Sequence, residues 1–526
     1  MLVLACWFWC IPTFRGHDGS TALYIAAHYN RVDVCTALLR SAADPNLCRT
    51  DVGASPLHAA VSGKHAGMAK LLLASKADPA TATTDRGVTP LHIAASNGDA
   101  DVAQLLATAL LAAVDASNDG TIAPRRLDDG ATPLLEAAEG GHHLVVETLL
   151  AAAHKTGARG LAHLSAARTA TGVAPLHAAA AAGHASVVDL ILNACSEESG
   201  CSSDVIAAIV NQATAAADGG ATPLAMACKR GNTAVVERLL GNAAAGKLIE
   251  VNKGTADNGA TPLYLAAQGQ HSETVGVLLA AKAVDVNQPT TDSASASPLD
   301  AAVASGTASN SSARQLAIVG ALLDAHADPN QRKAGGAGVA PLFVAAQEGL
   351  LDVLNLLLNA GSNPNVSTAE ANATPLFVAA MQGHVDVAAA LLARNADPNS
   401  TTADIGATPL FMASQQGHTA VATLLLNAGA KIGCALTNNG ATELWASRNP
   451  LSNRGSAPRH WWIASFPIIS DLSVRYPASA NVRSSDDVNA FEGSMLERAP
   501  RDCQLAPRAA RCRRRRGIAE ASPTPP

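Results

Sequence analysis

Aromatic side chains are scarce in this sequence. They make up 3% of 526 residues, against 48% hydrophobic residues in all. A thick core built on rings is therefore excluded, and Ala, Leu and Val are left to fill many thin layers of small side chains. Long apolar runs are missing as well: no stretch of 18 apolar residues occurs, so no spanning helix is expected. Nor does one sign of charge dominate. A net charge of −6 and a pI near 6.2 give no general reason to expect nucleic acid. The cysteines, at 6, 10, 35, 48, 195, 201, 228, 434, 503 and 512, form no CxxC pair and lack disulfide-scaffold density, which favours a reducing compartment.

What is present is a period. GATPLFMASQQGH (406–418) follows NATPLFVAAMQGH (372–384) by 34 residues, and GVAPLFVAAQEGL lies 34 earlier again. With the Pro of this motif as anchor, units begin at Pro56, Pro90, Pro133, Pro175, Pro223, Pro262, Pro298, Pro341, Pro375 and Pro409. Ala22 takes the anchor place in the first unit, and Glu443 in a decayed last fragment. Offsets 16 and 17 from the anchor usually hold a second apolar pair, as in Leu72-Leu73, Leu357-Leu358 and Leu425-Leu426.

Each unit spells a helix pair. Thr before Pro starts a helix, because the hydroxyl caps free N–H groups and Pro at the first position has none to leave unpaired. Gly at offset 8 in most units, with Asn30 in the first, accepts the left-handed conformation that ends it. A second helix carries the V-x-x-L-L face, and Asp-Pro-Asn (44–46, 328–330, 397–399) makes the turn onward. One such pair cannot bury its own apolar face, so neighbours must stack.

SPLHAA (55–60), TPLHIA (89–94) and APLHAA (174–179) carry a family signature, and the chain closely resembles the ankyrin repeat family over about residues 17 to 448. The resemblance implies an all-α repeat solenoid of about 11–12 stacked units, each a helix-turn-helix plus a β-hairpin finger. Long spacings put inserts near 107–129, 151–171, 193–219, 241–258 and 307–314, which lengthen either second helices or fingers. Residues 1–16 form an apolar N-terminal segment, read as a cap of the first repeat, a weak membrane anchor or a faulty gene start. Residues 449–526 lose the period and end in an Arg cluster (498–516), read as a localisation signal or a solvated, largely disordered tail.

Histidines recur in two rows, His58, His92 and His177 at offset 2, and His65, His142, His184, His271, His384 and His418 at offset 9. A metal or acid–base array would use such residues. Repeats lying about 10 Å apart are too far for shared ligation, so both rows are read as structural. The resemblance implies that the first row bonds neighbouring turns and the second the inter-helix turn. GGAGV (335–339) lacks a phosphate-loop form, no GxSxG, HExxH or kinase set occurs, and Cys195 and Cys201 have no His nearby in sequence.

The resemblance places partner binding on the concave side, at finger tips and at offsets 6 and 7 of the first helix. Scaffold letters repeat while these positions change. The candidate partner-binding stripe is Gln268, Phe343, Gln347, Glu348, Phe377, Met381, Gln382, Phe411, Gln415 and Gln416, a Phe ladder beside Gln and Met. The chain is thus read as a non-catalytic, cytoplasmic scaffold or adaptor, monomeric, without cofactor, metal or small-molecule substrate, binding other proteins. Nucleic acid and membrane are not expected partners, and the Arg-rich tail raises the nucleus as a second location. Alternatives are the substrate-recognition arm of a ubiquitin ligase, kinase or acyltransferase, and a membrane-linked ankyrin protein.

Overall fold

The computed structural model describes residues 16–117, 125–155, 167–169, 171–195, 201–242, 245–281, 283–305, 313–333 and 338–432. The chain divides into two units, 1–468 and 469–526, and every described residue lies in the first. The N-terminal apolar segment up to residue 15, the decayed last fragment and the tail lie outside the described residues.

Among the described residues, eleven helix pairs and one extra α-helix follow in order. The first helix of each pair starts at the anchor, as in Ala22–His28, Pro90–Asn97 and Pro409–Gln416, and the second follows within a few residues, as in Val32–Arg40, Ala100–Ser117 and Thr419–Asn427. First helices of adjacent repeats pack on one another, and second helices do the same, which gives two layers. Leu at offset 1 and Ala at offset 4 occur in all eleven pairs. Leu57, Leu91, Leu176, Ala60, Ala94 and Ala179 are fully buried. An Ala at the contact lets helix axes approach closely where a larger side chain would hold them apart.

Helix starts behave as their sequence implies. The hydroxyls of Thr132, Thr222, Thr374 and Thr408 accept the N–H of Leu135, Ala225, Phe377 and Phe411 at 3.1–3.3 Å. Ala340 holds that place in repeat 9 and gives no side-chain cap. At offset 8 the backbone is left-handed whatever the residue: Gly98 (φ 70°) and Gly383 (φ 81°), but also Asn30, Lys64 and Gln270 (φ 56–58°). Space favours Gly there too, since a Cβ on Gly349 or Gly383 would come within 2.7 or 2.6 Å of the ring of His384 or His418 in the next repeat.

The inserts take different forms. Repeats 3, 4 and 8 extend the second helix, to Ala100–Ser117, His143–Lys155 and Ala313–Asp324. Repeat 5 adds a separate helix, Ser203–Val210, and a single 3₁₀ turn, Ala216–Asp218.

The β-hairpin finger is not formed. Among the described residues there is no β-strand, only one isolated bridge position at Thr21. In most repeats the described finger is a tight loop closed by two backbone bonds, in repeat 3 Thr83 N–H to Val88 O (2.9 Å) and Gly87 N–H to Thr83 O (3.0 Å). One bond joins it to the finger before, Thr84 N–H to Val52 O (3.0 Å). The arms are too short for a ladder: Val88 is followed at once by the N-cap Thr89 and by Pro90, which has no N–H to continue one.

The Asp-Pro-Asn turns do more than redirect the chain. Asp or Asn at the first position accepts the N–H two residues on, as Asp397 does from Asn399 (2.9 Å). The Asn then clamps the following repeat at both ends of its amide. Asn365 donates to Asn395 O (3.1 Å) and accepts from Asp397 N–H (2.7 Å). Asn46, Asn252, Asn330 and Asn399 repeat the pattern. Asn365→Ala is expected to lower stability by about 1–2 kcal/mol, read from urea unfolding, because two exposed inter-repeat bonds vanish together. Ala340→Thr is expected to raise it by about 1 kcal/mol by restoring the missing cap. An unchanged urea midpoint in either variant would contradict the corresponding assignment.

Candidate functional site

The offset-2 histidines are held as neutral stitches. Ser55, Thr89 and Ala174 donate their backbone N–H to the Nδ1 of His58, His92 and His177 at 3.1–3.3 Å. That fixes the proton on Nε2, which donates to Val88 O, Ala131 O and Gln212 O at 2.9, 3.1 and 2.8 Å, in each case toward the next repeat. Burial holds all three imidazoles below their usual range, His92 and His177 down to about 4, against the pull of the carbonyls they donate to. A base that is buried and bonded at both nitrogens is not available for acid–base chemistry.

The offset-9 row is equally occupied. His65, His142, His184, His271, His384 and His418 each put Nε2 at 3.0–3.3 Å from the offset-6 carbonyl of the preceding repeat: His28, Ser96, Glu139, Lys229, Gln347 and Met381. Asn232 does the same in repeat 6, donating to Ala180 O and Ala181 O at 2.8 and 3.0 Å. Among the described residues no group of three or more His, Cys, Asp or Glu is placed to hold a metal ion. Burial pushes the Cys195 thiol up to about 12, with the Cys201 thiol adding to the shift, and also raises Cys35 and Cys228, the reverse of what a nucleophilic thiolate requires. Of GGAGV, only Gly338 and Val339 are described.

Phe343, Phe377 and Phe411 share the offset-2 slot with these histidines and keep only 6, 3 and 1% exposure. The Phe ladder expected at a partner face is therefore not at a surface. Offset 2 lies on the side of the helix turned into the stack, and a ring there fills the space that His92 uses to bond outward. Asp300, in the same slot of repeat 8, accepts from the N–H and hydroxyl of Ser297 at 2.9 and 2.8 Å, while its Oδ1 has no partner. Burial holds this carboxyl above its usual range.

The other candidates do reach the surface. Gln268, Gln382 and Gln416 are exposed, and Gln347, Glu348, Met381 and Gln415 are half-buried. Gln347 donates to Glu348 (3.2 Å), and Gln415 Oε1 has no hydrogen-bond partner. Sequence reasoning missed the charged network of the N-terminal half. Arg49 pairs with Asp18 (3.2 Å) and Asp51 (2.5 Å), and Arg126 with Asp128 (2.5 Å) and Glu136 (3.0 Å). Arg168 reaches Glu139, an offset-6 residue, at 2.7 Å. An Arg two residues before an Asp in the finger, RTD (49–51) or RLD (126–128), was the signal available.

These helix pairs, their anchors and their inter-repeat stitches repeat over the length of the described chain. The family described as "Ankyrin repeats (3 copies)" matches residues 8–82, 76–159, 163–290, 224–333, 307–402 and 342–436. The chain belongs to the ankyrin repeat family. No curated protein matches it. The ankyrin repeat is an interaction module rather than a catalytic fold, and this chain's recurring histidines are parts of the ankyrin frame. No described helix is long and apolar enough to cross a membrane.

Acid should weaken that frame. The folded pKa values of His92 and His177 lie below the unfolded 6.5, so the stability they contribute is present above that pH and is lost as pH falls toward 4. The loss is up to about 3 kcal/mol for each imidazole. Asp300, shifted the other way, contributes most at low pH and loses that contribution as pH rises. Replacing both histidines by Phe, the residue of repeats 9–11, is expected to flatten the fall in urea midpoint between pH 6.5 and 4. An equal slope in the variant and the wild type would show that these two side chains do not set the acid response.

Proposed function

We propose that the chain is a protein-binding scaffold or adaptor whose partner lies on the concave face of repeats 7 to 11. The side chains offered to it are Gln268, Gln347, Glu348, Met381, Gln382, Gln415 and Gln416. One observation carries the reading. At offset 6 the frame uses the backbone carbonyl, as Gln347 O and Met381 O accept from His384 and His418, and does not use the side chain. Those side chains change from repeat to repeat while the frame does not. Amides and a thioether adapt to a partner at small desolvation cost, whereas the charges nearer the N-terminus are already paired with one another. Phe343, Phe377 and Phe411 support this face from beneath rather than contacting a partner.

The test compares the intact chain with a variant carrying Gln347, Met381, Gln382, Gln415 and Gln416 as Ala, in affinity capture from native extract. Circular dichroism is expected to be unchanged, since the frame bonds at these positions run through the backbone. A partner captured by the intact chain and lost by the variant is the expected outcome. Equal capture would remove the stripe as the binding face, and the absence of any partner would count against the scaffold reading.

A further inference from the structure

We propose that residues 1–15 cover the open end of the first repeat, where no preceding unit is described. Offset 12 shows that something is needed there. It is held by Met68, Val102, Val145, Val187, Val235, Thr274, Val353 and Val421, each 0% exposed, and by Val387 at 2%. Val34 occupies the same offset in repeat 1 and is 52% exposed. Offset 3 tells the same story: Ala59, Val344, Val378 and Met412 are 0–4% exposed, whereas Ile25 is 44% exposed. Leu38 at offset 16 is half-buried, while Leu72 and Leu106 are fully buried. In the later repeats offset 12 is buried wherever it is described, and offset 3 is buried or half-buried, with a preceding repeat packed beside them. The first repeat has none among the described residues.

The chain itself supplies a fitting occupant. Counting back one 34-residue period from Ala22 puts Met1, Leu4 and Ala5 at offsets 13, 16 and 17. Those are the offsets of Leu354, Leu357 and Leu358 in repeat 9, all buried on the second helix. Residues 1–14 carry no charge, and Trp7, Phe8 and Trp9 bring ring area to a chain that is only 3% aromatic. The family match begins at residue 8, ahead of the first described helix. Gly16 donates its N–H to Ser20 O (2.9 Å), next to the N-cap Thr21, so the segment joins the array at the start of the first helix. Ten residues of link reach up to about 33 Å, more than the ~14 Å length of a nine-residue helix such as Val32–Arg40.

The experiment uses hydrogen exchange on the full chain, on a chain lacking residues 1–15, and on Val34→Asp in both backgrounds. Removal of the segment is expected to speed exchange of the amides of 22–40 by about tenfold or more, with 341–427 unchanged. Val34→Asp should do the same in the full chain and add little once the segment is gone. Exchange at 22–40 that ignores the deletion, or a Val34→Asp effect equal in both backgrounds, would overturn the proposal. As a check that does not depend on the shortened chain, Trp445, Trp461 and Trp462 are replaced by Phe, so that emission reports Trp7 and Trp9. Blue-shifted emission that moves red on Val34→Asp supports the cap, and solvent-like emission in both opposes it. Sedimentation of the full chain, but not the shortened one, with phosphatidylcholine–phosphatidylserine vesicles would assign the segment to lipid instead.

Discussion

No helix pair in this array can bury its own apolar surface, and every other feature follows from that. Offset 12 measures the dependence: a residue that is at most 2% exposed when a repeat precedes it is 52% exposed in Val34, where none is described. Burying a Val fully is worth roughly 1.5–3 kcal/mol, so neighbour contact is comparable with what a single repeat could gain alone. Stability then resembles a sum of repeat and interface contributions, with the ends weakest. The invariance of Leu at offset 1 and Ala at offset 4 across eleven units has the same origin, because an interface repeated many times admits only side chains that fit on both sides.

Polar bonding obeys the same rule. Three rows of side chains run along the stack, and each joins one repeat to the next. The offset-2 histidines donate forward to a finger carbonyl, the offset-9 histidines reach back to an offset-6 carbonyl, and the turn Asn clamps the following loop at its N–H and C=O. Loops that bury little apolar area are tied in this way at several points per unit. Residue types that elsewhere mean catalysis are here fully used in holding neighbours together. Where the frame departs from its own pattern, the departure is tolerated locally: Lys64 and Gln270 adopt the left-handed backbone that Gly takes in other units, and Asp300 enters a His slot with one oxygen unpartnered.

Most of this was legible in the sequence because the period made each unit confirm the next. Thr-Pro as helix start, Gly as helix stop and the V-x-x-L-L face are local rules, and the helix starts and stops fell where expected. Of the Leu pair, the first is buried from repeat 2 on while the second is often partly open, as at Leu426. The fingers were not read correctly, since strand formation depends on how many residues remain before the next N-cap, and Val88-Thr89-Pro90 leaves too few. Phe343, Phe377 and Phe411 were misplaced for a related reason. Offsets 2 and 6 lie about one turn apart on the same helix, and the sequence does not say that the repeat ahead covers the first and leaves the second open. Within the Arg–Asp fingers the RTD and RLD pairs are local, but the reach of Arg168 to Glu139 and the Asn clamps span about 30 residues in sequence, which no local pattern reports.

What remains free after the frame is satisfied limits where recognition can occur. In repeats 1 to 5 the fingers carry Arg49, Arg126 and Arg168, each already facing carboxylates, and Glu139 at offset 6 is part of that network. A partner docking there would have to desolvate charges whose bonds are already made, gaining little from them. In repeats 9 to 11 the same offsets carry Gln347, Met381, Gln382, Gln415 and Gln416, with Glu348 the one charge among them. Their backbone carbonyls are committed where His384 and His418 reach them. An amide offers both a donor and an acceptor without the desolvation cost of an ion. The contrast between paired charge in the N-terminal repeats and mostly neutral amides in the C-terminal ones is the asymmetry that favours the latter as the reading face.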